Sequence, residues 1–183
     1  GYKMEKKRII VYVTGEDAIN YYRLILPYGT LGSKNENFDV RFRSAFTPDD
    51  LTKTDLVVFQ RVDKASGAAY FNLARSRGVK VIMDLDDDLW GVPEWNPAYN
   101  FVMQPQVRAG CDGAIEAADV ITVSTERLRN VVLNRHPGAR VVVVPNSVHL
   151  PSIPQRRQNN RTPVVGWAGG DTHEKDMDIL RPV

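Results

Sequence analysis

Asp84, Asp86, Asp87 and Asp88 fall within five residues of one another and are followed at once by Leu89-Trp90. Carboxylates set so close repel, so a run of them at the end of an apolar segment needs a reason. Three chemistries suit it: binding of a divalent cation, capture of sugar hydroxyls, and general-base work. Opening a loop and capping a helix is the plainer use of the same residues. If the chain stays extended, alternation sends Asp84, Asp86 and Asp88 to one side and Asp87 to the other. Trp90, Trp95 and Tyr99 follow, with aromatic faces suited to stacking on a sugar or base, or to forming a lid on their own domain.

Two glycine turns offer a different chemistry. Thr14-Gly15-Glu16-Asp17 follows the first apolar run. Gly15 permits a tight turn, and a helix behind it presents unpaired N–H groups to an anion or a sugar hydroxyl. The segment is not G-x-G-x-x-G, which argues against a nicotinamide-dependent oxidoreductase. Tyr22-Arg23 lies one or two turns into that helix, where an arginine either reaches back to hold a phosphate or carboxylate or is a solvated charge. Gly169-Gly170, with His173 and Lys175 after it, is the second place where backbone N–H groups can approach a phosphate. The Asn146 amide is placed to cap the crossing chain. Cys111 has no histidine near it in sequence and reads as a packed thiol. His136, before Pro137-Gly138, reads as structural.

These residues need a frame, and the sequence supplies one. Apolar runs at 8–14, 55–60, 79–84, 119–124 and 140–144, with an alternating run at 38–45, predict six strands. Helical stretches are expected at 17–31, with a kink or end at Pro27, and at 66–77, 106–118 and 125–135. That alternation predicts an α/β fold, a Rossmann-like doubly wound parallel sheet. Gly15, the acidic loop and Trp90 are then expected to share one cleft at the carboxyl ends of the strands. The polar, proline-containing segment PSIPQRRQNNR marks a linker. The expected organisation is a first domain over 4–150, a linker over 151–162, and the first strand and helix of a second, truncated domain over 163–183. Val164, Val165 and Trp167 are too apolar to stay exposed, so this tail is expected to dock on the first domain, on the rest of the second domain or on another copy of the chain.

Composition bounds the function. The chain of 183 residues has a formal net charge of +2, with Lys and Arg spread among Asp and Glu, which gives no nucleic-acid footprint. One cysteine rules out an intrachain disulfide framework. No stretch reaches the roughly 18 apolar residues of a membrane span, and no signal-peptide core follows the basic start, so the cytoplasm is the expected compartment. Met4 is the expected natural start.

Five segments, in order, resemble a known family: TGEDAINYYRLILP, VIMDLDDDLW, ADVITVSTERL, VVVVPNSV and VGWAGGDTHEKD. Together they resemble the retaining nucleotide-sugar glycosyltransferases of the GT-B fold, of the glycosyltransferase group 1 type, over nearly the whole chain. The resemblance implies two facing Rossmann-like domains, the first mainly for the acceptor and the second mainly for the sugar nucleotide. It implies that Gly15 lies on the diphosphate side of the cleft, that Pro145-Asn146-Ser147 marks the domain boundary, and that VGWAGG opens the donor domain. The donor would be a nucleoside-diphosphate sugar, with no cofactor and no metal required. On this reading Asp86, Asp87 and Asp88 orient the acceptor. Gly15, Glu16, Tyr22, Arg23, Trp90, Asn146, Gly169, Gly170, His173 and Lys175 contribute to substrate binding. The chain departs from the family at three points. Asp86-Asp87-Asp88 stand where a histidine is common, Trp167 stands near the place of an arginine, and the paired glutamates of the donor site would lie beyond Val183. The chain alone is therefore expected to be inactive. The competing reading is a Rossmann-like binding or interaction module without catalysis.

Overall fold

The computed structural model describes residues 5–15, 17–62 and 65–149, together with 162, 166, 169–170, 175 and 177–178. The apolar runs become strands β1 (Lys7–Tyr12), β2 (Phe38–Arg43), β3 (Leu56–Gln60), β4 (Lys80–Leu85), β5 (Val120–Val123) and β6 (Val141–Val143). They form one sheet in the order β2-β1-β3-β4-β5-β6, with every pairing parallel. This is the expected Rossmann-like α/β sheet. β1, β3, β4 and β5 are buried along most of their length, which is why their sequences are apolar without alternation. β2 lies at an edge and alternates, with Arg41 and Arg43 exposed.

Crossover handedness decides which face each helix covers. The connection from β1 to β2 holds α1 (Ala18–Asn20), a π-helical turn (Tyr21–Ile25) and α2 (Leu26–Lys34). It runs opposite to the other connections and lies on the opposite face. There Leu24, Tyr28 and Leu31 cover Ile9, Val11 and Val58. The remaining connections hold α3 (Pro48–Leu51), α4 (Ala65–Ser76), α5 (Tyr99–Val102), α6 (Pro105–Ala117) and α7 (Glu126–Arg135). They build the larger core, in which Phe71 and Ala74 of α4, Ile115 of α6 and Val132 of α7 pack on Val57, Phe59, Val81, Met83 and Ile121. Cys111 is buried in that core, as a packed thiol should be, with Sγ 3.6 Å from the Val62 carbonyl. The segment 150–161, and Val164, Val165 and Trp167, on which linker and docking were expected, lie outside the described residues.

The single turns α3 and α5 have no counterpart among the expected elements. α3 is a single turn closed by a capping box, in which Thr47 and Asp50 exchange bonds. The kink expected at Pro27 takes the form of the π turn before it. Leu26 N–H reaches back five residues to the Tyr21 carbonyl. Pro27 has no N–H to give to Arg23, so the ladder slips where a bond would be missing anyway. The wider turn leaves both Arg23 and Leu24 buried, at 5% and 0% exposure.

Candidate functional site

Gln60, Asp84, Thr122 and Val142 are aligned across β3 to β6. Alternation turns Asp84 and Thr122 toward the first helix rather than into the larger core. A buried carboxylate there requires a partner, and Arg23 provides it. Arg23 Nε donates to Asp84 Oδ2 at 2.9 Å and Nη2 to Oδ1 at 2.5 Å, a bidentate pair with each side chain 4% exposed. Thr122 Oγ1 adds a donor to Asp84 Oδ1 at 2.6 Å. Arg23 Nη1 then donates to the Val144 carbonyl at 2.5 Å and to Asn146 Oδ1 at 3.0 Å. One guanidinium thus ties the first helix to the ends of β4 and β6. Burial, reinforced by the Asp84 charge, pushes the nearby Tyr28 phenol up to about 12. In this structure Arg23 and Asn146 are spent on each other and on Asp84, while Tyr22 is 42% exposed and stacked edge-on against Tyr21.

Beyond Leu85 the other three aspartates separate, and each meets a different environment. Asp86 is half-buried and accepts from Gln60 Nε2 at 2.9 Å, with Arg61 Nε 3.8 Å away. Burial raises its carboxyl above the usual range, the Arg61 charge acting against that. Asp87 is exposed, and its Oδ1 accepts from Asp88 N–H at 2.8 Å. Asp88 Oδ1 accepts from Trp90 N–H at 3.0 Å and Gly91 N–H at 2.9 Å, which closes a tight turn. The plainer, loop-capping use therefore applies to Asp88. Among the described residues no three His, Cys, Asp or Glu side chains gather as metal ligands.

That turn leaves no room at Gly91. A Cβ there would stand 2.5 Å from Asp88 Oδ2 and 3.0 Å from its Cγ. Gly91→Ala is expected to break both turn bonds and to destabilise the protein by about 1–3 kcal/mol. Thermal unfolding of the variant checks this, and a melting temperature equal to that of the wild type would refute it.

The aspartates border a pocket of about 460 Å³ between the loop that follows β4 and the start of α7, with Trp95, Ser124 and Arg127 among the other lining residues. Two expectations need correction here. Trp90 does not line this pocket. Its Nε1 donates to Asp112 Oδ1 at 3.1 Å, and the Arg135 guanidinium lies 5.0 Å from its ring centroid, so its ring is held toward α6 and α7. The aromatic wall is Trp95, 41% exposed. Gly15 is also elsewhere: a Cβ on it would meet Asp17 at 3.5 Å and Asn20 at 3.8 Å, residues of a separate crevice between β1 and β3. Asp86 is the link between the two, bordering the first and touching Gln60 of the second.

His136 is structural, as expected. It is 9% exposed, with Nε2 3.0 Å from Asp112 Oδ1 and Nδ1 3.4 Å from Glu116 Oε1. Gly169 and Gly170 are exposed, and Lys175 Nζ lies 5.6 Å from the Trp95 ring centroid. Glu16 and His173 lie outside the described residues. The sequence reading passed over Gln60 and Arg61, although the loop after a central strand is where ligands are expected.

No protein-family model matches the chain, and no curated protein sequence matches it. Among solved structures it is similar to Phytolacca americana UGT2, solved in complex with UDP-2fluoro-glucose and pterostilbene. The two share 9% identity with a TM-score of 0.45, over 80% of this chain and 55% of that one. The chain thus spans about half the length of that structure. The likeness concerns the backbone and assigns no residue a role. Among the described residues no helix is long and apolar enough to cross a membrane.

Proposed function

We propose that the chain is the acceptor-side domain of a glycosyltransferase that moves a sugar from a nucleoside diphosphate to an acceptor hydroxyl, with retained configuration. The observation that carries this reading is Asp86: a half-buried carboxylate with a raised pKa, at the carboxyl end of a central strand, bordering a 460 Å³ pocket with an aromatic wall. Sugar hydroxyls suit such a set, in which a carboxylate accepts and Trp95 offers a stacking face. In the reaction, Asp86 accepts a hydrogen bond from the acceptor hydroxyl and takes its proton as the new bond from that oxygen to the sugar's anomeric carbon forms and the bond from that carbon to the diphosphate breaks. Negative charge grows on the departing diphosphate, and backbone N–H groups at Gly169-Gly170, with Lys175 beside the Trp95 ring, stabilise it. The sugar nucleotide is the only small molecule this scheme requires, and residues from 163 onward begin the donor side.

The test is direct. The complete natural protein is assayed with uridine, guanosine and adenosine diphosphate sugars against a panel of glycan and lipid-linked acceptors. Transfer with retention is the expected result. Sugar-nucleotide binding without turnover on any acceptor would instead support the binding-module reading.

A further inference from the structure

The connection from β1 leaves to one side of the sheet and that from β3 to the other, so a crevice opens between their carboxyl ends, where open α/β sheets place ligands. It holds a pocket of about 100 Å³, whose lining includes Thr14, Asp17, Asn20, Gln60, Arg61 and Ser66. A pocket of that size takes a small charged group such as a phosphoryl or carboxylate.

Arg61 follows β3 directly. Its φ is 38°, and among the described residues it is the one non-glycine residue in the left-handed region. Its N–H is held by the Asp84 carbonyl at 3.0 Å, which pins the backbone in that conformation. Among the described residues its Nε is buried with no hydrogen-bond partner, only the Asp86 charge 3.8 Å away, a costly state for a charged donor. Among the described residues, the carboxylates nearby are already engaged. Asp86 accepts from Gln60 and stays 3.8 Å from Arg61 Nε. Asp17 turns back on its own helix and accepts from Asn20 N at 2.8 Å and Nδ2 at 2.9 Å. Among the described residues the unmet capacity of the pocket is therefore a donor, with the Thr14 hydroxyl beside it and the first turn of α4, whose Ser66 hydroxyl bonds Tyr12, at its edge.

We propose that this pocket is an oxyanion site. It takes one phosphate monoester or carboxylate group of a small-molecule ligand, and Arg61 holds that group. The claim concerns binding and goes beyond the transfer reaction proposed above, so it is tested without any turnover.

The 183-residue chain is titrated separately with inorganic phosphate, acetate and uridine diphosphate. The readouts are calorimetry and the amide shifts of Thr14, Gln60 and Arg61. Saturable binding of phosphate or acetate is expected, and which of the two binds tells a phosphoryl from a carboxylate ligand. Arg61→Gln should weaken it at least about tenfold, the loss of one charge-assisted contact, and Arg61→Lys less. Arg61→Gly separates function from folding. It removes the guanidinium and relieves the left-handed backbone, so affinity should fall equally while the melting temperature rises by about 2–4 °C. A purely structural arginine would instead lose melting temperature on that change. Absence of saturation by both anions, saturation by uridine diphosphate alone, or binding unchanged in Arg61→Gly overturns the proposal. Failure here would leave the glycosyltransferase reading untouched, because no transfer is measured.

Discussion

Arg23→Met should cost the protein about 3–5 kcal/mol of stability. The variant leaves Asp84 as an uncompensated charge at 3% exposure, with only the Thr122 hydroxyl still bonded to it. It also strips the Val144 carbonyl and the Asn146 amide of a shared donor. At about 2–4 °C per kcal/mol for a chain of this size, the melting temperature should fall by roughly 6–20 °C. Adding Asp84→Leu should recover much of the loss, because a buried ion pair and well-packed apolar side chains of similar volume are often comparable in stability. Thermal unfolding of both single variants and the double variant measures the coupling. A loss below about 1 kcal/mol in Arg23→Met would show that the pair is not what holds these elements together.

Asp86→Asn should act in opposite directions on rate and on stability. The amide still accepts from Gln60, so the fold is kept, but it can neither accept a proton nor carry charge. Loss of one charged hydrogen bond to the acceptor is worth about 1.5–3 kcal/mol, one to two decades in turnover. The stability effect follows from the sign of the shift. The folded carboxyl binds its proton more tightly than the ordinary value of 3.8. As pH rises from below 3.8 through the raised folded value, the folded state holds more protons than the unfolded one, so stability falls across that window and then levels off. Above the window, Asp86→Asn should therefore be at least as stable as the wild type, with a flatter stability profile across it. Transfer rates in the complete protein and melting curves from pH 3 to 7 check both halves. A variant at full rate would remove Asp86 from the machinery, and one that unfolds at neutral pH would make it structural.

Long-range order was legible in the sequence because burial on both faces imposes a simple code. IIVY in β1 and VVF in β3 are apolar without alternation, which is the mark of strands buried on both faces of a parallel sheet. The alternating FDVRFR of β2 suited a strand, and its place at the edge came only with the structure. Single-turn elements carry no such periodicity, which is why α3 and α5 went unread. The site was harder, because its geometry depends on departures from regular spacing. Arg23 on an ideal helix has no evident reason to be buried. The slipped π turn places it there, and no propensity encodes that slip. Trp90 and Trp95 are equivalent in composition, and what separates them is Asp112, a residue in a helix more than twenty positions away that captures the Trp90 indole. Asp88 was readable only as one of several acids until its two turn bonds were seen. Arg61 lay where ligands were expected, but its left-handed backbone has no signature in residue type.

The bonds from Arg23 to Val144 and Asn146 span 121 and 123 residues of chain. They require β4, β6 and the first helix to be in place together. Closing so long a loop is entropically unrewarded until those elements exist. The guanidinium is thus a latch of long reach, and to the extent that it closes after the folding transition state its energy goes into slowing unfolding. The persistence of the assembled sheet in time, more than the speed of its assembly, rests on an arginine made early in the chain and satisfied only near the end of the domain.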